Sequence, residues 1–221
     1  MNEPTKKGSA AASESSELRK PSPADAPLST RDSGTPEFWD EHFRQKHTPW
    51  DRGGVQGAFR RFASRTQRRP VLIPGCGSAH EALWLAQNGW TVRAIDFSMA
   101  AVAAARDQLG ALAPLVEQAD FFTYRPPFDP GWIYERAFFC ALPPARRREY
   151  VARMADLLVP GGLLAGFFYF GEADKGPPFG IARPELAALC APYFDLIEDE
   201  AVDDSLPVFA GRERWLTWCR R

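Results

Sequence analysis

The apolar residues of the chain fall into short unbroken runs separated by segments of helical period. Val71-Leu72-Ile73-Pro74 is one such run, and it ends in the bend Gly75-Cys76-Gly77-Ser78. Residues 80–88 follow with a helical pattern whose apolar positions are Leu83, Trp84 and Leu85. Residues 91–96 read as a second strand closing on Asp96, and Ser98 supplies a capping hydroxyl for an alanine-rich helix over 99–109. A third short strand is predicted over 114–117, with Asp120-Phe121-Phe122 just after it. A fourth is predicted over 132–139, entered through the turn-rich segment 126–131 and ended by Leu142-Pro143-Pro144. An amphipathic helix over 146–158 stops at Pro160-Gly161-Gly162. The run 163–170 is apolar at every second position and between, which predicts a central strand buried on both faces. After a Gly/Pro-rich loop over 171–180 come a short helix over 184–190 and two last strands over 194–200 and 213–219.

Strands alternate with helices as far as the fifth strand, which predicts an α/β fold: a parallel sheet covered on both faces. No helical pattern separates the last two strands, so they can pair antiparallel. The expectation is a Rossmann-like sheet of seven strands with its last strand antiparallel at one edge, the shape of class I methyltransferases. Ligands of such sheets bind at the carboxyl ends of the strands. Gly75, Gly77, Asp96, Asp120 and the end of the fourth strand all fall on that rim.

Upstream of the alternation the pattern changes. Residues 1–34 are rich in Ser, Ala, Pro and Lys and nearly free of large apolar side chains. Such a segment buries too little surface to offset its ordering entropy, so a disordered tail is expected there and a single domain over 35–221. Thr35-Pro36-Glu37 reads as a helix start, with a capping hydroxyl, proline at the first helical position and an acid in the first turn. Phe38, Trp39 and Phe43 follow at near-helical spacing, then a turn over 48–54 that carries Trp50. Two readings of 35–56 stand side by side: a helix that caps the core, or a lid whose aromatics cover a flat ligand. The helix predicted over 57–67 carries Arg60, Arg61 and Arg65. Without interleaved aromatics it reads as a solvated face rather than a nucleic-acid patch.

Composition narrows the function. The formal net charge of −1 provides no overall field for nucleic acid or a membrane surface. Cys76, Cys140, Cys190 and Cys219 include no close pair, which argues against a zinc site or a disulfide framework and suits a reducing cytoplasm. No run approaches the ~20 apolar residues of a membrane span, and the N-terminal stretch has no hydrophobic segment of a secretory signal. His42, His47 and His80 form no metal or triad pattern, and surface or supporting roles are expected for them.

The strand, glycine bend, helix, strand and acid together are the layout of a nucleoside-type cofactor site. Glycines let the backbone approach a ligand, and the acid accepts hydrogen bonds from ribose hydroxyls. The third glycine of the dinucleotide fingerprint is replaced by His80. That weakens a nicotinamide reading and suits a ligand without a pyrophosphate, such as S-adenosylmethionine. Each candidate also has a plainer reading. Asp96 can cap the helix after Ser98, Asp120 can be a turn residue, Arg136 an ion-pair partner and Tyr169 strand packing; Cys76 and Cys140 read as apolar fillers.

Several segments in order resemble the thiopurine S-methyltransferase superfamily. They are Pro49-Trp50-Asp51 with Gly53, the run from Val71 to Ser78, Ala119-Asp120-Phe121-Phe122, Tyr134 to Pro144, and Gly176-Pro177-Pro178-Phe179. The Phe138-Phe139-Cys140-Ala141 stretch is closest to the halide and thiol (thiocyanate) methyltransferase branch, whereas Arg136 resembles the thiopurine branch. The resemblance covers the chain from about Phe38 onward. It implies that Trp39 and Trp50 wrap the cofactor, the backbone at Gly75 and Gly77 faces its amino-acid portion, Asp96 binds ribose, and Asp120 and Phe121 bracket adenine. Arg136 is then near both the cofactor carboxylate and the substrate, and Tyr169 and Phe179 line the acceptor pocket. Phe43 stands where plant halide enzymes have tryptophan, Ala79 replaces a frequent glycine, and the Asp129-Pro130-Gly131-Trp132 entry to the fourth strand is irregular for the family.

The activity so implied is methyl transfer from S-adenosylmethionine, leaving S-adenosylhomocysteine, to a small soft nucleophile: a thiol, bisulfide, thiocyanate or halide. No metal is expected, nor nucleic acid or membrane, and the small-molecule acceptor is met by a cytoplasmic monomer. Acceptors that are already anionic need no general base, which fits the lack of a triad; a thiol would need a cation such as Arg136 to favour its thiolate. The alternatives are a thiopurine-type enzyme acting on aromatic thiols or on selenium and tellurium species, a nicotinamide-dependent oxidoreductase, and a catalytically silent cofactor-binding protein.

Overall fold

The computed structural model describes Met1, residues 32–171 and residues 176–221. The expected tail therefore lies mostly outside the described residues. Its last three residues do not: Ser33 is buried, and its carbonyl accepts the Trp39 indole N–H at 2.8 Å.

Among the described residues, seven strands form one sheet, in the order β3-β2-β1-β4-β5-β7-β6. They are β1 (Val71–Pro74), β2 (Val92–Asp96), β3 (Val116–Gln118), β4 (Trp132–Arg136), β5 (Leu163–Tyr169), β6 (Phe194–Ala201) and β7 (Glu213–Arg220). The helices are α1 (Pro36–Arg44), α2 (Gly57–Arg65), α3 (His80–Gln87), α4 (Met99–Leu109), α5 (Arg147–Leu157) and α6 (Arg183–Cys190). β1 to β5 pair in parallel, and their alternate side chains enter two separate cores. Val71, Ile73, Trp132, Tyr134 and Phe167 pack with Phe59 and Phe62 of α2. Leu72, Ile133, Leu164 and Phe168 pack with Tyr150 and Met154 of α5 and with Leu186 of α6. Burial on both faces is why these strands read as unbroken apolar runs.

The last strand is antiparallel, as expected, but it does not lie at the edge. β7 is inserted between β5 and β6 and runs opposite to both. The side chains account for this. Trp215, Leu216 and Trp218 of β7 are buried and need neighbours on both sides, whereas Asp195, Leu196 and Ile197 of β6 are exposed and suit the edge.

Three local expectations are corrected. Pro114 has no N–H to give a ladder; it sits in a 3-10 turn, Gly110–Leu115, and the third strand starts at Val116. The fourth strand stops at Arg136 rather than Phe139. Ala137 turns the chain at φ 55°, and the buried Glu135 carboxylate accepts the amides of Phe138 (2.9 Å) and Phe139 (2.8 Å) together with the Tyr150 hydroxyl. Thr35 occupies the cap position of α1, but its hydroxyl donates to the Asp32 carbonyl instead of capping. Ser98 does cap α4, accepting the Ala101 amide at 3.1 Å.

Candidate active site

At the carboxyl ends of β1 to β4 the chain encloses a cavity of about 490 Å³. Trp39, Trp50, Gly75, Gly77, Asp96, Asp120, Phe121 and Arg136 all line it. Tyr169 and Phe179 do not. Tyr169 packs edge-on against Phe209, which does line the cavity, and its hydroxyl accepts from Arg212 Nη1 at 3.1 Å. The Phe179 amide donates to the Cys140 carbonyl at 2.7 Å, while Pro177 and Pro178 of the same loop reach the cavity.

The floor is the glycine bend. Gly75 has φ +59°, and a Cβ there would stand 2.6 Å from the Phe138 ring, so no side chain fits. The bend is tied to the next strand end by Asp96. Its Oδ2 accepts the Gly77 amide at 3.0 Å and its Oδ1 accepts the Ser98 amide at 2.9 Å. Burial pushes the Asp96 carboxyl up to about 6, against the pull of these two amides. Asp96 thus braces the turn that leads into α4, whose cap is Ser98, and has a face on the cavity as well. Asp120 likewise holds a turn, accepting the Phe122 amide at 2.9 Å, beside Phe121 at the cavity's other end.

The roof is aromatic. Trp39 and Trp50 meet edge to face with centroids 5.3 Å apart, and His42 stacks against both. Asp40 clasps α1 to α4: its Oδ1 accepts the Ser98 hydroxyl at 2.6 Å and the Ala100 amide at 2.9 Å. The loop after α1 is fixed by Asp51, which accepts from the Ser78 hydroxyl, the Gly53 amide (2.8 Å) and His80 Nε2 (2.9 Å). Burial opposes the Asp51 charge, but these bonds outweigh it and bring its carboxyl down to about 2. The bond to Asp51 raises the His80 pKa. Spacing gave no sign of the pairs Asp40–Ser98 and Asp51–His80.

At the end near β4, Arg136 is held between the rings of Phe167 (4.8 Å) and Phe209 (5.2 Å) and pairs with Glu213, which also accepts the Ser205 hydroxyl at 2.7 Å. Its Nη2 is buried and, among the described residues, has no hydrogen-bond partner. Glu81, in the first turn of α3, also lines the cavity and accepts the Tyr134 hydroxyl at 3.1 Å. Cys76 and Cys140 line it as neutral thiols, both pushed up by burial. Among the described residues, no cluster of His, Cys, Asp and Glu could hold a metal.

An elongated cavity with a glycine floor, an aromatic roof, carboxylates along the rim and one guanidinium N–H left unpaired fits a nucleoside with an amino-acid tail. Comparisons with known proteins point the same way. A family model described as thiopurine S-methyltransferase matches residues 34–220. Thiocyanate methyltransferase 1 of Arabidopsis thaliana is 28% identical over 190 residues, covering 81% of this chain and 83% of that protein. Thiopurine S-methyltransferase of Vibrio atlanticus is 30% identical over 201 residues, covering 80% of this chain and 91% of that protein. Among solved structures, 1,6-didemethyltoxoflavin-N1-methyltransferase of Burkholderia thailandensis superposes with a TM-score of 0.66 at 17% identity, over 89% of this chain and 92% of that one. A TehB-like SAM-dependent methyltransferase of Corynebacterium glutamicum gives 0.63 at 15% identity, over 83% and 98%. These two likenesses concern the fold.

Proposed function

Since this chain belongs to the thiopurine S-methyltransferase family, we propose that it transfers the methyl group of S-adenosylmethionine to a small soft nucleophile: a thiol, bisulfide, thiocyanate or halide. One observation carries the reading. The four strand ends under the tryptophan roof present, in spatial order, Asp120 and Phe121 after β3, Asp96 at β2, the glycine bend at β1 and Arg136 at β4. That order suits adenine, ribose, the sulfur-bearing chain and the acceptor, laid side by side.

When bound, S-adenosylmethionine supplies a methyl group on a positively charged sulfur, open to in-line attack. The chain's own residues supply the rest. Gly75 and Gly77 leave room for the ligand chain, and Asp96 has lone pairs to accept ribose hydroxyls beyond those used by two amides. The rings of Trp39 and Trp50 exclude water, which would otherwise solvate the attacking anion better than the transition state. Arg136 directs its unpaired Nη2 N–H to an anionic acceptor and so favours a thiolate over a thiol. Phe209, Val208 and Pro178 give the same end an apolar wall, which also suits an aromatic thiol. No described helix is long and apolar enough to cross a membrane, and the proposed setting is a monomer in the cytoplasm.

A panel of iodide, bisulfide, thiocyanate and an aromatic thiol, with methyl-labelled S-adenosylmethionine, tests the reading; no labelled product from any of them would overturn it. Arg136→Met should lower kcat/KM for a thiol of high pKa by at least ~10-fold and shift its pH profile to higher pH, while a thiol of low pKa keeps its profile. An identical profile for both thiols in the variant and the parent would remove Arg136 from that role.

A further inference from the structure

Among the described residues, four carboxylates line the cavity: Asp51, Glu81, Asp96 and Asp120. Three have evident duties. Asp51 latches the lid, Asp96 joins the glycine bend to α4, and Asp120 closes a turn. Glu81 is the one left over. Its side chain is fixed through Oε1 by the Tyr134 hydroxyl, which rises from β4 on the far side of the glycine bend from Asp96. Among the described residues it also makes no ion pair of its own: Arg136 and His80, whose charges it senses, are paired with Glu213 and Asp51. An ionised carboxylate facing a cavity that admits anionic acceptors would repel them unless a ligand brings a positive charge to it.

We propose that Glu81 is the binding residue for the ammonium group of the donor's amino-acid tail. The inference rests on the donor reading above and adds a residue to it. The strand order gives the placement. Asp96 and Tyr134 belong to the two strands that flank β1, so about two strand spacings, roughly 10 Å, part the ribose end from the Glu81 end. The amino-acid tail extends from the ribose across the glycine bend in that direction. Its ammonium meets the Glu81 carboxylate, and its carboxylate meets one of the two N–H bonds on Arg136 Nη2, the other being left for the acceptor. The tail is a zwitterion, so both groups are met by an opposite charge inside a dry pocket. Burial raises the Glu81 pKa, with the Arg136 charge as the main counterweight; an ammonium at hydrogen-bond distance would lower it. Once the donor is bound, the cavity no longer repels an anionic acceptor, so the donor binds first.

The test compares two probes by calorimetric titration of the full chain. S-adenosylhomocysteine carries the amino-acid tail, whereas 5′-methylthioadenosine keeps adenine, ribose and sulfur but lacks it. Glu81→Gln should weaken S-adenosylhomocysteine at least ~10-fold and leave 5′-methylthioadenosine within ~2-fold. Tyr134→Phe, which releases Oε1, should show the same selective loss at a smaller size, and it carries the test should Glu81→Gln fail to fold. Equal weakening of both probes, or no change in either, overturns the assignment. If the unaltered chain binds neither probe, the donor reading itself falls and takes this inference with it; if it binds both and the variants do not discriminate, only the role of Glu81 falls.

Discussion

Asp96 has a structural role and a proposed one, and burial works against the charge that both favour. As the brace between Gly77 and Ser98 it accepts two amides, which favours the charged form, yet burial pushes its carboxyl up to about 6. Because its folded pKa lies above the ordinary 3.8, this group stabilises the fold most below that value, and the benefit is lost as pH rises through about 6. Ribose binding, the role proposed for Asp96, also wants the ionised form. The affinity for S-adenosylhomocysteine should therefore fall as pH drops below about 6, and Asp96→Asn should weaken it by ~10- to ~100-fold while flattening that limb of the profile. Titration of both proteins across this range checks it; an unaltered acid limb in the variant would assign the limb to another group. His80 also has a raised pKa, but its effect on affinity falls on the alkaline limb. Its pKa is raised by Asp51, so the latch is complete below the ordinary histidine value of 6.5 and weakens as pH rises through the higher folded value. On the alkaline side the affinity should drop ~2- to ~5-fold, and His80→Gln should remove that drop by starting from the weakened state. Residue types alone flagged Asp96, because it closes a strand after a glycine bend. They did not flag Glu81 or Asp51, whose meaning depends on partners 53 and 27 residues away.

The segment 36–50, read as a lid, has little core of its own. α1 has nine residues, too few to hold a helix by itself, and tertiary contacts keep it in place. Asp40 makes two of these, accepting both the hydroxyl that caps α4 and the Ala100 amide. Asp40→Ala would leave those donors without an acceptor, at a cost of about 1–3 kcal/mol. The sheet does not depend on that contact, so the expected result is faster proteolysis or hydrogen exchange over residues 36–50, with the protection of β1 and β4 unchanged. Loss of protection throughout the chain would show instead that the lid and the sheet unfold together. Phe38, Trp39 and Trp50 all line the cavity, and Phe38 is buried there. The early end of β4 is also a matter of elements. Phe138 and Phe139 have strand-like side chains, but Glu135 offers their amides a better acceptor than a neighbouring strand could, and this places Phe138 against the glycine bend.

For the molecule as a whole, the layout proposed for the ligand follows from the order of strands, and that order depends on close packing at the centre. Gly166 of β5 shows how close: a Cβ there would lie 1.9 Å from the Glu135 carbonyl oxygen of β4. Gly166→Ala must part these strands and should cost ~3 kcal/mol or more in chemical denaturation, whereas Gly54→Ala, with open space around it, should stay within ~0.5 kcal/mol. Similar small effects for both would mean that the sheet centre yields more readily than its packing indicates. By itself the sequence determined the alternation of strands and helices, the glycine bend and its acid, and the capped start of α4. Each is governed by backbone geometry and by side chains a few residues apart. Only the tertiary structure decided that β7 enters between β5 and β6, that Tyr169 packs behind Phe209, and that Glu81, Tyr134 and Arg136 meet at one end of the cavity. Those outcomes come from competition for burial and for hydrogen-bond partners among segments far apart in the chain, and local periodicity carries no record of that competition.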